Sequence, residues 1–322
     1  MKKFFIGIFV SLVFIVILIY KFDFNEFLFL WSKVNYFYLL PAFLFQILGT
    51  IFFSVRWYYL LERKLKLKHS ISSSFIGYGA NMVLPARGGD LFRVYYCRSE
   101  TGLRSLNLLS KLFLEKVIDF ISVILIGIIC FAIIKVGKTN EKSSFAVFTL
   151  SGFIVIGMLF TLYVIRYHSE KILQVLSLLA NYLKKEEFYK QHVEIHILEM
   201  KDFLKIRNFL FPLLYTTIIW LFYTLAHAST ASMANIELSF LELGFILFCG
   251  AISLALPSAP SGIGVYHASI VSGFILLGRD SKEGLFFATV QHLMSFIVLS
   301  LLGLIFYLYW TYRRREGQQK VA

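Results

Sequence analysis

Six runs of this chain, at about residues 4–20, 36–60, 112–134, 145–166, 209–233 and 285–310, stay apolar for roughly the length of a bilayer crossing. A hydrocarbon core takes about 17–25 helical residues to span, so runs of this length dominate what the chain can fold into. Composition removes the alternative of a soluble core. Hydrophobic residues make up 58% of the chain and charged residues only 16%, too little polar surface to cover such a core in water. The expected class is an all-α polytopic membrane protein.

The first run follows Lys2-Lys3 but lacks a small-residue cleavage site after it, so it reads as an uncleaved first helix. Trp31, Trp57-Tyr58-Tyr59 and the stretch Tyr307 to Tyr312 gather near span ends, where interfacial aromatic belts lie. Between 167 and 208 the hydropathy falls. Apolar residues Ile172, Leu176, Leu179 and Leu183, then Val193, Ile197, Met200 and Leu204, recur there at helical spacing. Two amphipathic helices of a cytosolic linker, with a face suited to lying on the bilayer, fit this pattern. It divides the chain into a first membrane half, 1–166, and a second, 209–322.

Two further stretches, 70–100 and 240–278, each hold two short apolar segments broken in the middle. The breaks are Leu84-Pro85-Ala86-Arg87-Gly88-Gly89-Asp90 and Leu256-Pro257-Ser258-Ala259-Pro260-Ser261-Gly262-Ile263-Gly264. If both stretches are re-entrant hairpins, 7 of the 32 basic residues and 7 of the 19 acids fall in outside loops, leaving 25 basic residues on the cytoplasmic side. That satisfies the positive-inside rule with both termini cytoplasmic. Eight full spans are the alternative, and they would export most of the basic residues of 166–207. Paired interrupted segments in two halves point to an inverted-repeat transporter.

Arg87, Asp90 and Arg93 share one short stretch of apolar chain. Each such charge costs about 2.5–3.5 kcal/mol at a helix centre on insertion scales, so the group needs partners or a ligand. Gly88 and Gly89 let the backbone come close, a helix start supplies free N–H groups, and two guanidinium forks suit a phosphate. The local alternative is that Asp90 caps its helix and neutralises an arginine. The second break offers Ser258, Ser261, Gly262 and Gly264 for a phosphate or hydroxyl-bearing head group. Glu115 and Asp119 lie four residues apart on one helical face, with Lys116 beside them; buried, they would organise Arg87 and Arg93, and the alternative is an interfacial ion pair with snorkelling ends. Arg56, near the end of its span, reads as a snorkelling side chain.

Other chemistries find little here. Cys97, Cys130 and Cys249 are widely spaced, which suggests neither disulfides nor a zinc knuckle. His192 and His196 have a zinc-pair spacing without a third ligand and read as a helix face. His227 and His292 read as packing histidines in apolar spans. The +13 net charge is better explained by cytoplasmic bias than by nucleic acid. No P-loop, nucleophile elbow or cysteine–histidine signature occurs, so no enzymatic activity, cofactor or metal is expected.

The segments Asn81 to Arg93, Glu115-Lys116-x-x-Asp119 and Pro257 to Tyr266 together resemble the lysylphosphatidylglycerol synthase transmembrane-region family, a group of flippase-like membrane proteins. The chain departs from that pattern at Ser261, where the family often has Gly, and at His267, where an acid is common. It also has Lys116 in place of Arg, and Gln291-His292 where an Arg is usual nearby. The best-known members carry a soluble aminoacyl-transfer domain after the membrane part. None follows here, so aminoacyl-lipid synthesis is not expected. The resemblance implies a flippase for an anionic or phosphate-bearing lipid, with related members tied to aminoacylated phospholipids, polyprenyl-phosphate glycolipids and hopanoids. The competing expectations are a membrane glycosyltransferase using Asp23 and Glu26 on a polyprenyl-phosphate sugar, and an accessory protein serving a lipid-modifying membrane enzyme.

Overall fold

The computed structural model describes residues 24–84, 87–135, 141–253 and 260–319, and every regular element among them is helical. The apolar run 4–20 lies outside the described residues. In hydrocarbon each unpaired backbone group is costly, so a spanning segment closes its hydrogen bonds within itself. A short helix α1 (Phe24–Ser32) leads through a 3₁₀ turn into α2 (Leu39–Leu60). α2 ends in two consecutive left-handed residues, Glu62 (φ 54°) and Arg63 (φ 62°), with Arg63 N–H returned to the Tyr58 carbonyl at 3.0 Å.

The first broken stretch forms α3 (Leu67–Val83) and α4 (Gly88–Thr101), which pack antiparallel as a helical hairpin. α4 stops at Gly102, whose φ of 69° needs no Cβ. α5 (Ser105–Lys135) and α6 (Glu141–Tyr182) follow, then a π-helical turn Tyr189–Glu194 running into α7 (Ile195–Phe203). After α8 (Ile206–Met233), the second broken stretch folds into α9 (Phe240–Ser253) and α10 (Val265–Leu276), again a hairpin, and α11 (Ser281–Gln319) ends the described chain. Among the described residues, four segments are long and apolar enough to cross a membrane: Tyr36–Leu60, Ser105–Ile134, Leu210–Met233 and Ser281–Glu316. The expected span 145–166 falls within α6. At ~1.5 Å per residue, the 14 residues of α4 and the 12 of α10 reach only about 21 and 18 Å, short of a ~30 Å core.

At the start of 167–208 the non-helical His168 (φ −124°, ψ 19°) separates the first part of α6 from a second helical part over 169–182.

The two halves pack by exchange. α3 of the first hairpin lies along α11, α9 of the second lies along α5, and α2 and α8 meet face to face. α2 and α8 run antiparallel: Phe52 stacks on Phe222 with ring centres 5.2 Å apart, and Asn35 N–H donates to the Met233 carbonyl at the far end. Phe75 near the middle of α3 stacks on Phe306 late in α11, while Phe245 early in α9 stacks on Phe131 late in α5. The first hairpin therefore opens at the end where α11 finishes, and the second at the end where α5 finishes. Their tips point toward each other from opposite ends. α3 and α11 touch backbone to backbone, since a Cβ on Gly79 would stand 2.8 Å from the Gly303 Cα. Each mouth carries a polar pair: His69 Nδ1 lies 3.1 Å from Glu100, and the Arg279 fork binds Glu242 at 2.9 Å.

Candidate functional site

Charges missing from most of the apolar interior collect where α2, α4 and α5 meet. Arg93 of α4 is buried and donates through both terminal nitrogens to the two oxygens of Glu115 on α5, 2.9 Å each. Its guanidinium carbon stands 3.9 Å from the Trp57 ring centre and 4.6 Å from that of Phe53, so aromatic faces cover what the carboxylate leaves. Arg56 of α2, also buried, forms the same fork with Asp119 and donates at 2.7 Å to Thr216 on α8. The snorkelling reading of Arg56 is thus corrected. A fully enclosed guanidinium cannot reach an interface, and it is held by a carboxylate 63 residues away. Asp119 consequently pairs with Arg56, not with Arg87.

Arg87 and Lys116 are placed differently. Arg87 sits at the first hairpin's tip in a left-handed conformation (φ 56°, ψ 38°) as the residue preceding α4. It is 46% exposed, with its nearest carboxylate, Asp90, at 3.5 Å. Lys116 bridges Asp90 at 3.5 Å and Glu115 at 3.4 Å. Asn81 of α3 donates to Asp90 at 3.2 Å. Four cations thus meet three carboxylates, and one positive charge is left over.

Between the two hairpin tips lies a cavity of about 430 Å³. Arg87, Lys116 and Asp119 line it from the first half, Ser261 and Tyr266 from the second hairpin, and His292 from α11. Gln46, Tyr78, Tyr223, His227 and Gln291 add hydrogen-bonding groups, while Met82, Phe120, Val123, Met158, Leu247 and Leu299 make the remaining wall apolar. Arg93 and Glu115 are not among the lining residues; they sit behind it and hold α4 to α5.

The glycines also serve differently from the sequence expectation. A Cβ on Gly89 would fall 2.0 Å from the Gly77 carbonyl oxygen, so its bareness lets α4 press on α3 and does not admit a ligand. Gly262 (φ 74°) and Gly264 (φ 85°) shape the second tip, where the Ser261 carbonyl accepts from His292 at 3.0 Å. Ser258 and Asp23 lie outside the described residues, as does the Glu26 side chain. His196 meets Ser110 of α5 and so is tied into the structure instead of forming a free helix face. Sequence reasoning passed over Gln46, Tyr78 and Tyr223, and marked Gln291 only as a departure from the family pattern. The available signal was polar side chains within apolar runs. Among the described residues, no cluster of three His, Cys, Asp or Glu side chains is placed to hold a metal.

The arrangement of two broken segments with a cationic tip between them has a counterpart in sequence. The family model for the lysylphosphatidylglycerol synthase TM region matches residues 4–303. The chain belongs to this family. No curated protein and no solved structure matches it. Membership in the lysylphosphatidylglycerol synthase transmembrane-region family, together with the spanning helices, makes this a multi-pass membrane protein. Its motif segments are the ones that build the cavity: Asn81 to Arg93 forms the first tip, Glu115 to Asp119 the charged wall, and the described part of Pro257 to Tyr266 the second tip.

Proposed function

We propose that this protein binds an anionic, phosphate-bearing lipid by its head group in the central cavity and moves it between leaflets without changing it chemically. The observation that carries this reading is the Arg87–Lys116 pair, which faces an otherwise largely apolar cavity between two opposed hairpin tips. Arg87 offers a fork to a phosphate and Lys116 a point charge. The leftover positive charge is met by the ligand. Arg93 and Arg56 are positioning residues, and the apolar wall takes the acyl or prenyl chain. A phospholipid and a polyprenyl-phosphate lipid share this chemistry. The proposed setting is the cell membrane with both termini cytoplasmic, where a lipid-modifying enzyme would supply or consume the lipid.

Purified protein in vesicles containing head-group-labelled phosphatidylglycerol or a labelled polyprenyl phosphate tests this directly. Exchange of label between leaflets without a new product is expected, and it should fall to the protein-free rate in Arg87→Gln. A new glycolipid would support the enzyme reading instead, and absence of both exchange and binding would remove the transport proposal.

A further inference from the structure

The long helix α6 (Glu141–Tyr182) carries an apolar row that outruns the bilayer. Phe153, Ile156, Phe160, Tyr163 and Tyr167 are exposed at helical spacing, and the row resumes past His168 with Val175 (65% exposed), Leu178 (69%) and Tyr182 (84%). From Phe153 to Tyr182 is 29 steps, or about 44 Å of helix, against about 30 Å of hydrocarbon. The opposite side of 169–182 is already covered: Ala180 is buried, and Tyr189 reaches across to donate to the Leu173 carbonyl at 2.8 Å. The bare side therefore has no partner within the described residues.

We infer that residues 169–183 lie on the adjoining leaflet as an interfacial anchor, their bare apolar face in the head-group region of an anionic bilayer. Three observations carry this. The row follows, after exposed Lys171 and Gln174, the exposed apolar face of the part of α6 that holds the expected span 145–166. The helix breaks at His168 (φ −124°, ψ 19°), where a segment leaving the membrane must turn to follow its surface. Exposed cations flank the face: Lys171 stands one turn before Val175, and Lys184, Lys185 and Lys190 follow the helix end. Glu170, Glu186 and Glu187 are exposed nearby as well, so the attraction is local to the lysines and the apolar row supplies the insertion. Lysines with apolar stems beside such a row suit this depth. Anchoring here would tie α7, packed on α5 and α6, to the membrane surface.

The test uses the full chain in vesicles, with an environment-sensitive fluorophore at Leu178→Cys or Tyr182→Cys. Glu187→Cys is the control, and labelling of the unsubstituted protein gives the background from Cys130. Both positions are exposed, so folding is not at stake. At positions 178 and 182, blue-shifted emission quenched by brominated lipid is expected, stronger with phosphatidylglycerol than with phosphatidylcholine alone. Lys171→Gln combined with Lys184→Gln and Lys185→Gln should erase that lipid preference. Emission like that of position 187 would overturn the inference. So would blue-shifted emission that brominated lipid does not quench, because a second copy or another protein would then cover the face.

Discussion

Arg93 and Glu115 face each other across α4 and α5 with two parallel hydrogen bonds of 2.9 Å, both side chains enclosed. The pair fastens the first hairpin to the spanning helix behind it. Removing one member leaves a buried charge unmatched, a change that costs about 3–5 kcal/mol in proteins. Glu115→Gln should lower the thermal midpoint in detergent sharply, and Glu115→Gln with Arg93→Met should recover part of the loss.

Arg87 predicts the opposite split. Its side chain is half-exposed and faces the cavity, so Arg87→Gln should leave the midpoint nearly unchanged while lipid binding and exchange fall at least about tenfold, the equivalent of roughly 1.4 kcal/mol. Arg87→Lys keeps the charge but loses the fork and should recover binding only in part. Equal loss of stability in Arg87→Gln and Arg93→Gln would show that both are structural.

The contact of α3 with α11 depends on Gly79 and Gly303, where any Cβ meets backbone. Gly79→Ala should cost about 1–3 kcal/mol through overpacking, read as a lower midpoint. Gly152, with open space around it, should accept alanine without such a loss.

Sidedness follows from the opposed hairpins. Ser281 starts α11 and Arg314 lies near its other end. Labelling of Ser281→Cys and Arg314→Cys in intact cells should report opposite sides, with Ser281 outside. Both on one side would reject the arrangement.

Glu62 lies in the turn after α2, outside the spanning segments. Partial burial pushes its carboxyl up, but hydrogen bonds from Lys64 and Lys111 outweigh this and hold it below the usual carboxylate range. A depressed folded-state value means the contribution is present above the unfolded value and is lost as pH falls through the folded one. Glu62→Gln should therefore lower stability slightly near neutrality and flatten the acid side of the stability–pH curve.

Long apolar runs made the helical membrane class legible without coordinates, because period and length alone decide whether a helix crosses lipid. The Pro and Gly breaks at 84–90 and 256–264 marked both hairpins for the same local reason, and Arg87 at a break was visible as a candidate. Charge pairing was not legible. Arg56 looked like an interfacial residue and Arg93 like a ligand-binding one, since a sequence shows charges but not the helices that later surround them. Packing of α2 and of α4 against α5 brings Asp119 to Arg56 and Glu115 to Arg93 across separations of 63 and 22 residues. Only those tertiary contacts decide which cations are held behind the wall and which, Arg87 and Lys116, line the cavity.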